Sequence, residues 1–309
     1  MIVETNSIKA WMLASRPKTL AAAIAPVLVG CGMAAYYGKF NIIPAMACLI
    51  FAVSMQIAAN LINDYYDYFK GADGEERLGP LRATSQGWIT PRVMKIGILS
   101  IIALGCSCGA VLIYYAGFEM ILVGLFCVLF AYFYTSGPFP LAYNGLGDVA
   151  VILFFGLIAV GFTAYVQILE WSPLLVYGAL ATGMVVNTLL VLNNYRDREN
   201  DAKVGKNTLV VLLGEPFGRY FYLALGVVAV VILHCLFNSL LPEKSGFTLI
   251  HWCCLFVMPI VYLLLHYFTW RKISLIRQGR VLNTLIGETS RNMLIFSLTF
   301  AIGLAIIGS

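Results

Sequence analysis

Charged residues are scarce in this chain of 309 amino acids. It contains 20 Lys and Arg and 15 Asp and Glu, so only 11% of its residues are charged, whereas 61% are hydrophobic and the mean hydropathy is +0.86. A soluble domain has about 25% charged residues and roughly 45–50% apolar ones. The shortage of charge therefore excludes an ordinary soluble globular protein and predicts that a lipid bilayer surrounds the chain.

Cysteine pairs with metal-site spacing are lacking as well. The eight cysteines all lie inside apolar runs, none has the CxxC spacing, and the chain has only three histidines. A zinc site is therefore not expected, and the cysteines are interpreted as small buried hydrophobic residues. No GxxxxGK[ST] loop is present, which excludes the nucleotide-type phosphate cradle.

Long apolar runs make up most of the chain. A membrane-spanning helix needs about 20 mostly apolar residues, and the turn residues between these runs favour helices over barrel strands. The fold class is therefore predicted to be all-α, a polytopic membrane protein with nine transmembrane helices. The predicted spans are Leu20–Tyr37, Ile42–Ile62, Val93–Tyr115, Met120–Tyr134, Asp148–Leu169, Leu174–Asn193, Tyr220–Leu241, Thr248–Trp270 and Asn292–Ile307.

Basic residues alternate between the two sides of these spans. All Lys and Arg fall on one side except Lys39 and Lys244. The positive-inside rule then places the N-terminus in the cytoplasm and the C-terminus outside. The expected location is the inner (cytoplasmic) membrane of the cell, which the chain crosses several times. The positive net charge of +5 reflects this topology, so a nucleic acid is not an expected partner.

Two polar clusters follow apolar spans, one in each half of the chain. In the first half, Gln56, Asn60, Asn63, Asp64 and Asp67 recur at helical spacing on one face. In the second half, the residues at the i, i+4 and i+8 positions are Asn193, Asp197 and Asp201. We interpret residues 1–309 as a single domain whose two similar halves are roughly 1–140 and 141–309.

The repeated carboxylates predict a divalent cation. Two carboxylates about 4 Å apart repel by roughly 4 kcal/mol at an effective dielectric constant near 20, and a cation between them removes that cost. Oxygen donors from Asp and Asn suit Mg²⁺ that is held jointly with a phosphate ligand. Basic residues close to the two clusters in sequence are Lys70, Arg77, Arg82, Arg196, Lys203 and Lys206.

These acids and bases together predict a polyphosphate site at the membrane surface. A diphosphate bound beside an apolar interior implies a lipid tail that lies between the helices. Polyprenyl diphosphate satisfies both requirements.

The two clusters resemble the motifs of the intramembrane aromatic prenyltransferases, the UbiA superfamily. Residues 63–67 read NDYYD, similar to the NDxxD motif, and residues 197–201 read DREND, similar to DxxxD. Other segments are similar to the branch of 1,4-dihydroxy-2-naphthoate polyprenyltransferases of menaquinone biosynthesis, among them RPKTL at 16–20, GPLRA at 79–83 and GKNTL at 205–209. The chain departs from the superfamily at Gly71, where an Asp is usual, and its nearest acid is Asp73.

This resemblance implies a fold, an activity and a membrane location. The nine helices would surround a central cavity that is open to the cytoplasmic face, with membrane lipid around them. The enzyme would transfer a polyprenyl chain from polyprenyl diphosphate to 1,4-dihydroxy-2-naphthoate, with loss of diphosphate and CO₂, and give demethylmenaquinone.

The resemblance also implies roles for individual residues. The expected Mg²⁺ ligands are Asn63, Asp64, Asp67, Asp73, Asp197 and Asp201. The expected diphosphate-binding residues are Asn63, Lys70, Arg82, Lys203 and Lys206.

Two alternative roles are open for each of three further residues. Tyr134 could stabilise an allylic cation through cation–π contact, or could be a tyrosine of the membrane-interface belt. Arg16 and Lys18 could bind the carboxylate of the acceptor, or could anchor the first span by snorkelling.

Two alternative functions stay open at this point. The same chemistry could act on another aromatic acceptor, such as 4-hydroxybenzoate or homogentisate, or on a lipid-type alcohol. A cation transporter is the other alternative, because acids within or near spans also mark ion pathways. Transport predicts acids near the bilayer midplane and on both faces, whereas these acids cluster at span ends on one side.

Overall fold

A computed structural model describes residues 3–70, 78–240, 249–253 and 257–308 of the chain. Within these ranges the regular structure is helical, and the β-type pairing is one isolated bridge between Asn144 and Asn207. This confirms the all-α prediction. Of the predicted site residues, Asp73 lies outside the described residues, and so does the side chain of Lys70.

Thirteen α-helices are formed in these ranges. They are α1 (Ile8–Ser15), α2 (Pro17–Tyr36), α3 (Ile42–Lys70), α4 (Pro91–Ala116), α5 (Glu119–Phe133), α6 (Gly147–Val151), α7 (Ala159–Ile168), α8 (Pro173–Lys203), α9 (Leu209–Leu213), α10 (Glu215–Leu240), α11 (Leu249–Trp252), α12 (Met258–Ile276) and α13 (Leu282–Gly308). A 3₁₀ turn covers Leu141–Tyr143, and a π-helical segment, Ile152–Ile158, joins α6 to α7.

Seven helical stretches in the described part are long and apolar enough to cross a membrane. They are α2, α3, α4, the continuous rod Gly147–Ile168, α8, α10 and α13, and α5 is a shorter apolar helix. Large apolar side chains on these helices are exposed, for example Leu99, Val231 and Ile302. Exposed apolar surface on this scale fits contact with lipid.

Several helices differ in length from the predicted spans. Helix α3 continues past Ile62 to Lys70, and α8 continues past Asn193 to Lys203, so both extend beyond the apolar run. The last predicted span, Asn292–Ile307, begins ten residues too late, because α13 begins at Leu282. An apolarity criterion ends a span where polar residues begin, but the backbone hydrogen bonds of a helix continue wherever side chains and neighbours support them.

Helix α2 lies at the centre of the bundle, where it packs against α3, α7, α8 and α13. Glycines permit this close approach. A Cβ added at Gly30 would lie 2.6 Å from Thr163 Cβ on α7, and one added at Gly32 would meet the backbone of Ala301 on α13. Small residues at such contacts let helices associate through van der Waals packing.

The π-helical segment fixes the position of α8. A Cβ added at Gly156 in this segment would lie 2.6 Å from the carbonyl oxygen of Ala179, and one added at Gly183 would lie 2.8 Å from that of Ile152. The two backbones are therefore nearly in contact. The extra residue of a π turn also shifts the side chains that follow it, and Phe154 and Phe155 of this segment line the apolar cavity described below.

Candidate active site

The ends of α3 and α8 open into one large cavity. Its empty space is about 2260 Å³, including the space at its mouth, and its walls also come from the starts of α2 and α13 and from the loops after α3, α5 and α8. The polar residues in its wall include Arg16, Lys18, Asn60, Asn63, Asp67, Arg82, Tyr134, Thr135, Asn193, Asn194, Arg196, Asp197, Asn200, Asp201, Lys206 and Asn283. The fold thus brings both sequence motifs to a common space.

Helix α3 presents Asn63 and Asp67 to this cavity, one helical turn apart. Thr135 donates its hydroxyl hydrogen to Asn63 Oδ1 at 2.5 Å. Arg82, from the loop that follows α3, forms a buried ion pair with Asp67. Asn60, a further turn back, donates to Ser15 O at 3.0 Å, so this face of α3 also holds the junction between α1 and α2.

Helix α8 presents Asp197 and Asp201, also one turn apart. Arg196 donates to Asp197 through Nε at 2.8 Å and through Nη2 at 2.5 Å. Lys206 Nζ donates to Asp201 Oδ2 at 3.1 Å. The chain can turn back to make that pair because Gly205 has φ of +70°, a left-handed conformation that favours glycine after a helix.

Each acid in the cavity wall therefore contacts a basic group. Charge-assisted hydrogen bonds of this kind are about twice as strong as neutral ones. The same guanidinium and ammonium groups are suitable donors for phosphate oxygens, with Arg offering a planar fork and Lys a point charge. The wall thus offers three basic groups, Arg82 from the loop after α3, Arg196 on α8 and Lys206 from the turn after α8, to a ligand that carries several negative charges.

Two predicted site residues are not part of this wall. Asp64 is 1% exposed and turns away from the cavity, and its two carboxylate oxygens accept hydrogen bonds from backbone N–H groups. Lys203 is exposed at the end of α8. The wall residues include neither of them.

Asn283 is a wall residue that the sequence did not reveal. Its Oδ1 accepts from Arg196 Nη1 at 2.9 Å, and its Nδ2 donates to Leu78 O at 2.7 Å. It therefore connects α13, α8 and the loop after α3. No motif surrounds it in the sequence, because the contacts that define it join segments about 90 and 200 residues away.

Arg16 and Lys18 lie at the start of α2, in the same wall. Arg16 has φ of 53°, a region uncommon for residues other than glycine, where α1 ends and α2 begins. The backbone here is held by Thr19, whose hydroxyl donates to Arg16 O at 2.9 Å, and by Ser290, whose hydroxyl donates to Lys18 O at 2.7 Å. The backbone of both basic residues is thus held at the cavity wall.

A second, largely apolar cavity adjoins the first. Its empty space is about 950 Å³. The two cavities share five wall residues, which are Gln56, Ala59, Phe130, Ala131 and Phe155. Aromatic rings continue across this junction, because Phe130 stacks on Phe154 with ring centroids 3.6 Å apart and lies 5.5 Å from the ring of Tyr134.

The donor set fits Mg²⁺. In the part of the chain that the structure describes, no group of three or more His, Cys, Asp or Glu residues is placed to hold a metal ion by itself. Mg²⁺ seldom uses such a cage and is usually bound by one or two carboxylates, water and substrate phosphates. Asn63, Asp67, Asp197 and Asp201 supply only oxygen atoms, which is the chemistry that this ion requires.

Most of the chain matches one protein family. Residues 23–281 match the model of the UbiA prenyltransferase family. The chain belongs to the UbiA prenyltransferase family. With its apolar helices, this UbiA family member is an integral membrane protein.

Several curated relatives of this UbiA family member are similar over nearly their whole length. A 1,4-dihydroxy-2-naphthoate octaprenyltransferase from Escherichia coli (strain K12) is 34% identical over 97% of this chain and 96% of its own. Another of the same name from Mycobacterium tuberculosis is 35% identical, over 97% of this chain and 98% of its own.

Solved structures show the same fold at lower identity. A UbiA homologue from Archaeoglobus fulgidus bound to GPP and Mg²⁺ is 16% identical and superposes with a TM-score of 0.69, covering 97% of this chain and 100% of its own. The same homologue bound to DMAPP and Mg²⁺ gives a TM-score of 0.68 at 17% identity, covering 96% of this chain and 98% of its own.

Proposed function

We propose that this protein transfers a polyprenyl chain from polyprenyl diphosphate to 1,4-dihydroxy-2-naphthoate in menaquinone biosynthesis. The C–O bond to diphosphate breaks, a C–C bond to the ring forms, and the ring carboxyl leaves as CO₂. No electrons are gained or lost, so the direct product is the quinol form of demethylmenaquinone.

One observation carries the proposal that the donor is a prenyl diphosphate. The wall of paired acids and bases is continuous with a largely apolar cavity through five shared residues. A molecule with a polyanionic head and an apolar tail fits that combination, because each part meets the environment that its solvation requires. Relatives named for prenyl transfer to dihydroxynaphthoate, at 34–35% identity, support the acceptor.

The diphosphate would lie between the ends of α3 and α8. Asn63, Asp67, Asp197 and Asp201 would hold Mg²⁺ there, whose chemistry when bound is to neutralise the charge of the leaving diphosphate. Arg82 and Lys206 contact two of these acids and would donate to phosphate oxygens as the charge on the leaving group grows.

The allylic carbon would then lie near the junction of the two cavities. Phe130 and Phe155 line this junction, Tyr134 lies beside Phe130 in the polar cavity, and together they would exclude water from a carbocation that water destroys. Their ring faces also attract positive charge. Tyr134, just after the last residue of α5, lines the polar cavity.

The carboxylate of the acceptor would bind at the start of α2. Arg16 and Lys18 are in the cavity wall there. Arg is suited to a planar carboxylate because it can donate two parallel hydrogen bonds. The start of α2 and the junction where the allylic carbon would lie belong to the same cavity, so the acceptor ring and the allylic carbon would share one space.

We also propose nine spans with the site at the cytoplasmic face. Besides the seven long helical stretches, α5 and α12 are apolar helices of 15 and 19 residues, about 22 and 28 Å long at 1.5 Å per residue. With nine spans and a cytoplasmic N-terminus, every charged residue of the cavity wall falls on the basic side of the membrane. The two similar halves, 1–140 and 141–309, then each contribute one acidic helix end.

Acceptor choice tests the proposal. The detergent-purified protein would be incubated with geranylgeranyl diphosphate, Mg²⁺ and one acceptor at a time: 1,4-dihydroxy-2-naphthoate, 4-hydroxybenzoate or homogentisate. We expect prenylated product from the naphthoate at least about tenfold faster than from either benzenoid acid. Equal or reversed rates would refute the assigned acceptor, and no product from any of the three would refute prenyl transfer.

A further inference from the structure

Asp64 belongs to the NDxxD motif, yet its surroundings differ from those of its motif partners. Its Oδ2 accepts from the backbone N–H of Ala83 at 2.8 Å, and its Oδ1 accepts from that of Thr84 at 2.9 Å. The residue is 1% exposed and does not contribute to the cavity wall. Coordinating a cation in the cavity would require both hydrogen bonds to break and the side chain to rotate out of its buried position.

The two bonded amides set the position of Arg82. Residues 78–90 form the described part of the loop after α3, and its turn is closed by bonds from Gln86 N to Arg82 O at 3.0 Å and from Trp88 N to Ala83 O at 2.8 Å. Arg82 directly precedes the two amides. Because Asp64 lies about one helical turn before Asp67, holding Ala83 at Asp64 keeps the preceding residue, Arg82, close to Asp67, with which it forms an ion pair.

A second contact holds the other end of the same loop. Asn283 on α13 donates to Leu78 O at 2.7 Å while it accepts from Arg196, the partner of Asp197. The loop is thus fixed at Leu78 by α13 and at Ala83 by α3. Between these two points lies the Gly79–Arg82 stretch that faces the cavity through Pro80 and Arg82.

From this geometry we infer that Asp64 is a positioning residue, which holds residues 78–84 so that Arg82 reaches Asp67 and the diphosphate, and that it is not a ligand of the metal. The inference rests on the proposed function for the ligand's identity. It also divides the motif by role: Asn63 and Asp67 serve the cavity, and Asp64 serves the loop.

Hydrogen exchange of the unaltered protein tests this inference without any activity assay. Exchange at the amides of Ala83 and Thr84 would be followed by mass spectrometry with residue-level fragmentation, with and without Mg²⁺ and inorganic diphosphate. A positioning role predicts that both amides are protected in both conditions. If Asp64 turned to bind the metal, adding Mg²⁺ and diphosphate would remove the protection, and that result would overturn the inference.

Variants give an independent test. Asp64→Asn keeps the size of the side chain, but its NH₂ group must face one of the two backbone donors. We expect exchange at residues 83–84 to rise at least about tenfold, because a buried anchor is lost. The KM for the prenyl diphosphate should rise, while the Mg²⁺ concentration that gives half-maximal rate stays within about twofold of the original value. Asp67→Asn should show the opposite pattern, a raised Mg²⁺ requirement.

Thr84→Ala is the matched control, because it alters a buried neighbour and keeps the backbone N–H group that bonds to Asp64. It should leave both exchange and kinetics unchanged. An Asp64→Asn protein with a raised Mg²⁺ requirement and normal exchange at residues 83–84 would show that Asp64 is a metal ligand. If the unaltered protein transfers no prenyl group at all, the proposed function fails, and the exchange experiments still decide the role of Asp64.

Discussion

Asp67, Asp197 and Asp201 are each matched with a base, and the bases arrive by different routes. Arg82 comes from a loop, Arg196 from the preceding position on the same helix, and Lys206 from a turn past the helix end. A carboxylate buried near a bilayer without a partner would be costly. Each pair offsets that cost, because a basic group donates to the carboxylate.

Replacing Asp67 or Asp197 by Ala should abolish prenyl transfer and leave the fold intact. We expect Asp67→Ala and Asp197→Ala to lower the rate about 10²–10³-fold or more, because each removes a group aimed at the charge that develops on the leaving diphosphate. Transfer assays of purified protein, normalised to membrane-inserted protein, provide the measurement.

Glu199→Ala is the control for this prediction. Glu199 lies between the two aspartates of DxxxD, but its side chain is 70% exposed and outside the cavity wall. It should retain full activity. Full activity in Asp67→Ala or Asp197→Ala would contradict the site.

The residue types of the site were predictable from the sequence, but their individual roles were not. Helical periodicity and motif resemblance gave Asn63, Asp67, Asp197 and Asp201, all of which line the cavity. The same periodicity put Asp64 beside them, because spacing cannot show whether a carboxylate meets solvent or two backbone amides. Asn283 escaped prediction because its partners are set by tertiary contacts alone.

At the scale of helices, α3 and α8 are long because they serve two environments. Their apolar portions cross the bilayer, and their last turns carry the acids into the polar cavity. The apolar runs in the sequence located both helices but ended them too early, since hydropathy falls at the point where the functional turns begin. The late start predicted for the last span has the same cause, because polar residues such as Asn283 and Glu288 occupy the first turns of α13.

A substitution on helix α5 can test whether the prenyl tail of the donor lies in the apolar cavity. Gly124 is in the wall of the apolar cavity, and a Cβ added there would meet no atom within 4 Å. Gly124→Leu should therefore fold normally and fill space that a long tail needs. We expect activity with geranyl diphosphate to persist, while the KM for a donor of 20 carbons or more rises about tenfold.

Leu125→Phe is the control for this prediction, because it adds volume at a lipid-exposed position on the same helix. It should change neither the activity with geranyl diphosphate nor the KM for the longer donor. Equal losses with short and long donors in Gly124→Leu would mean that the tail does not occupy this cavity.

At the scale of the whole molecule, charge and hydropathy predicted an all-helical membrane protein, and the structure confirms the helices. Seven helical stretches qualify as spans by length and composition, and the shorter α5 and the less apolar α12 bring the proposed count to nine. Composition alone cannot settle such borderline helices, because length, tilt and burial by neighbours all change what a bilayer accepts.

Topology can be tested directly. Nine spans and a cytoplasmic N-terminus predict that the two chain termini lie on opposite sides of the membrane. Tags at the N- and C-termini, probed with a membrane-impermeant reagent in intact cells and in permeabilised cells, should react on opposite faces. Tags on the same face would mean an even number of spans.

If the protein is a Mg²⁺-dependent naphthoate prenyltransferase, transfer and decarboxylation must occur together. The purified protein would be given a polyprenyl diphosphate and 1,4-dihydroxy-2-naphthoate labelled in its carboxyl group, with Mg²⁺ or with a chelator, and prenylated product and released CO₂ would be measured together. We expect equal amounts of product and CO₂ with Mg²⁺ and neither with the chelator. Product formed equally well without a divalent cation, or no product from folded protein, would contradict this expectation.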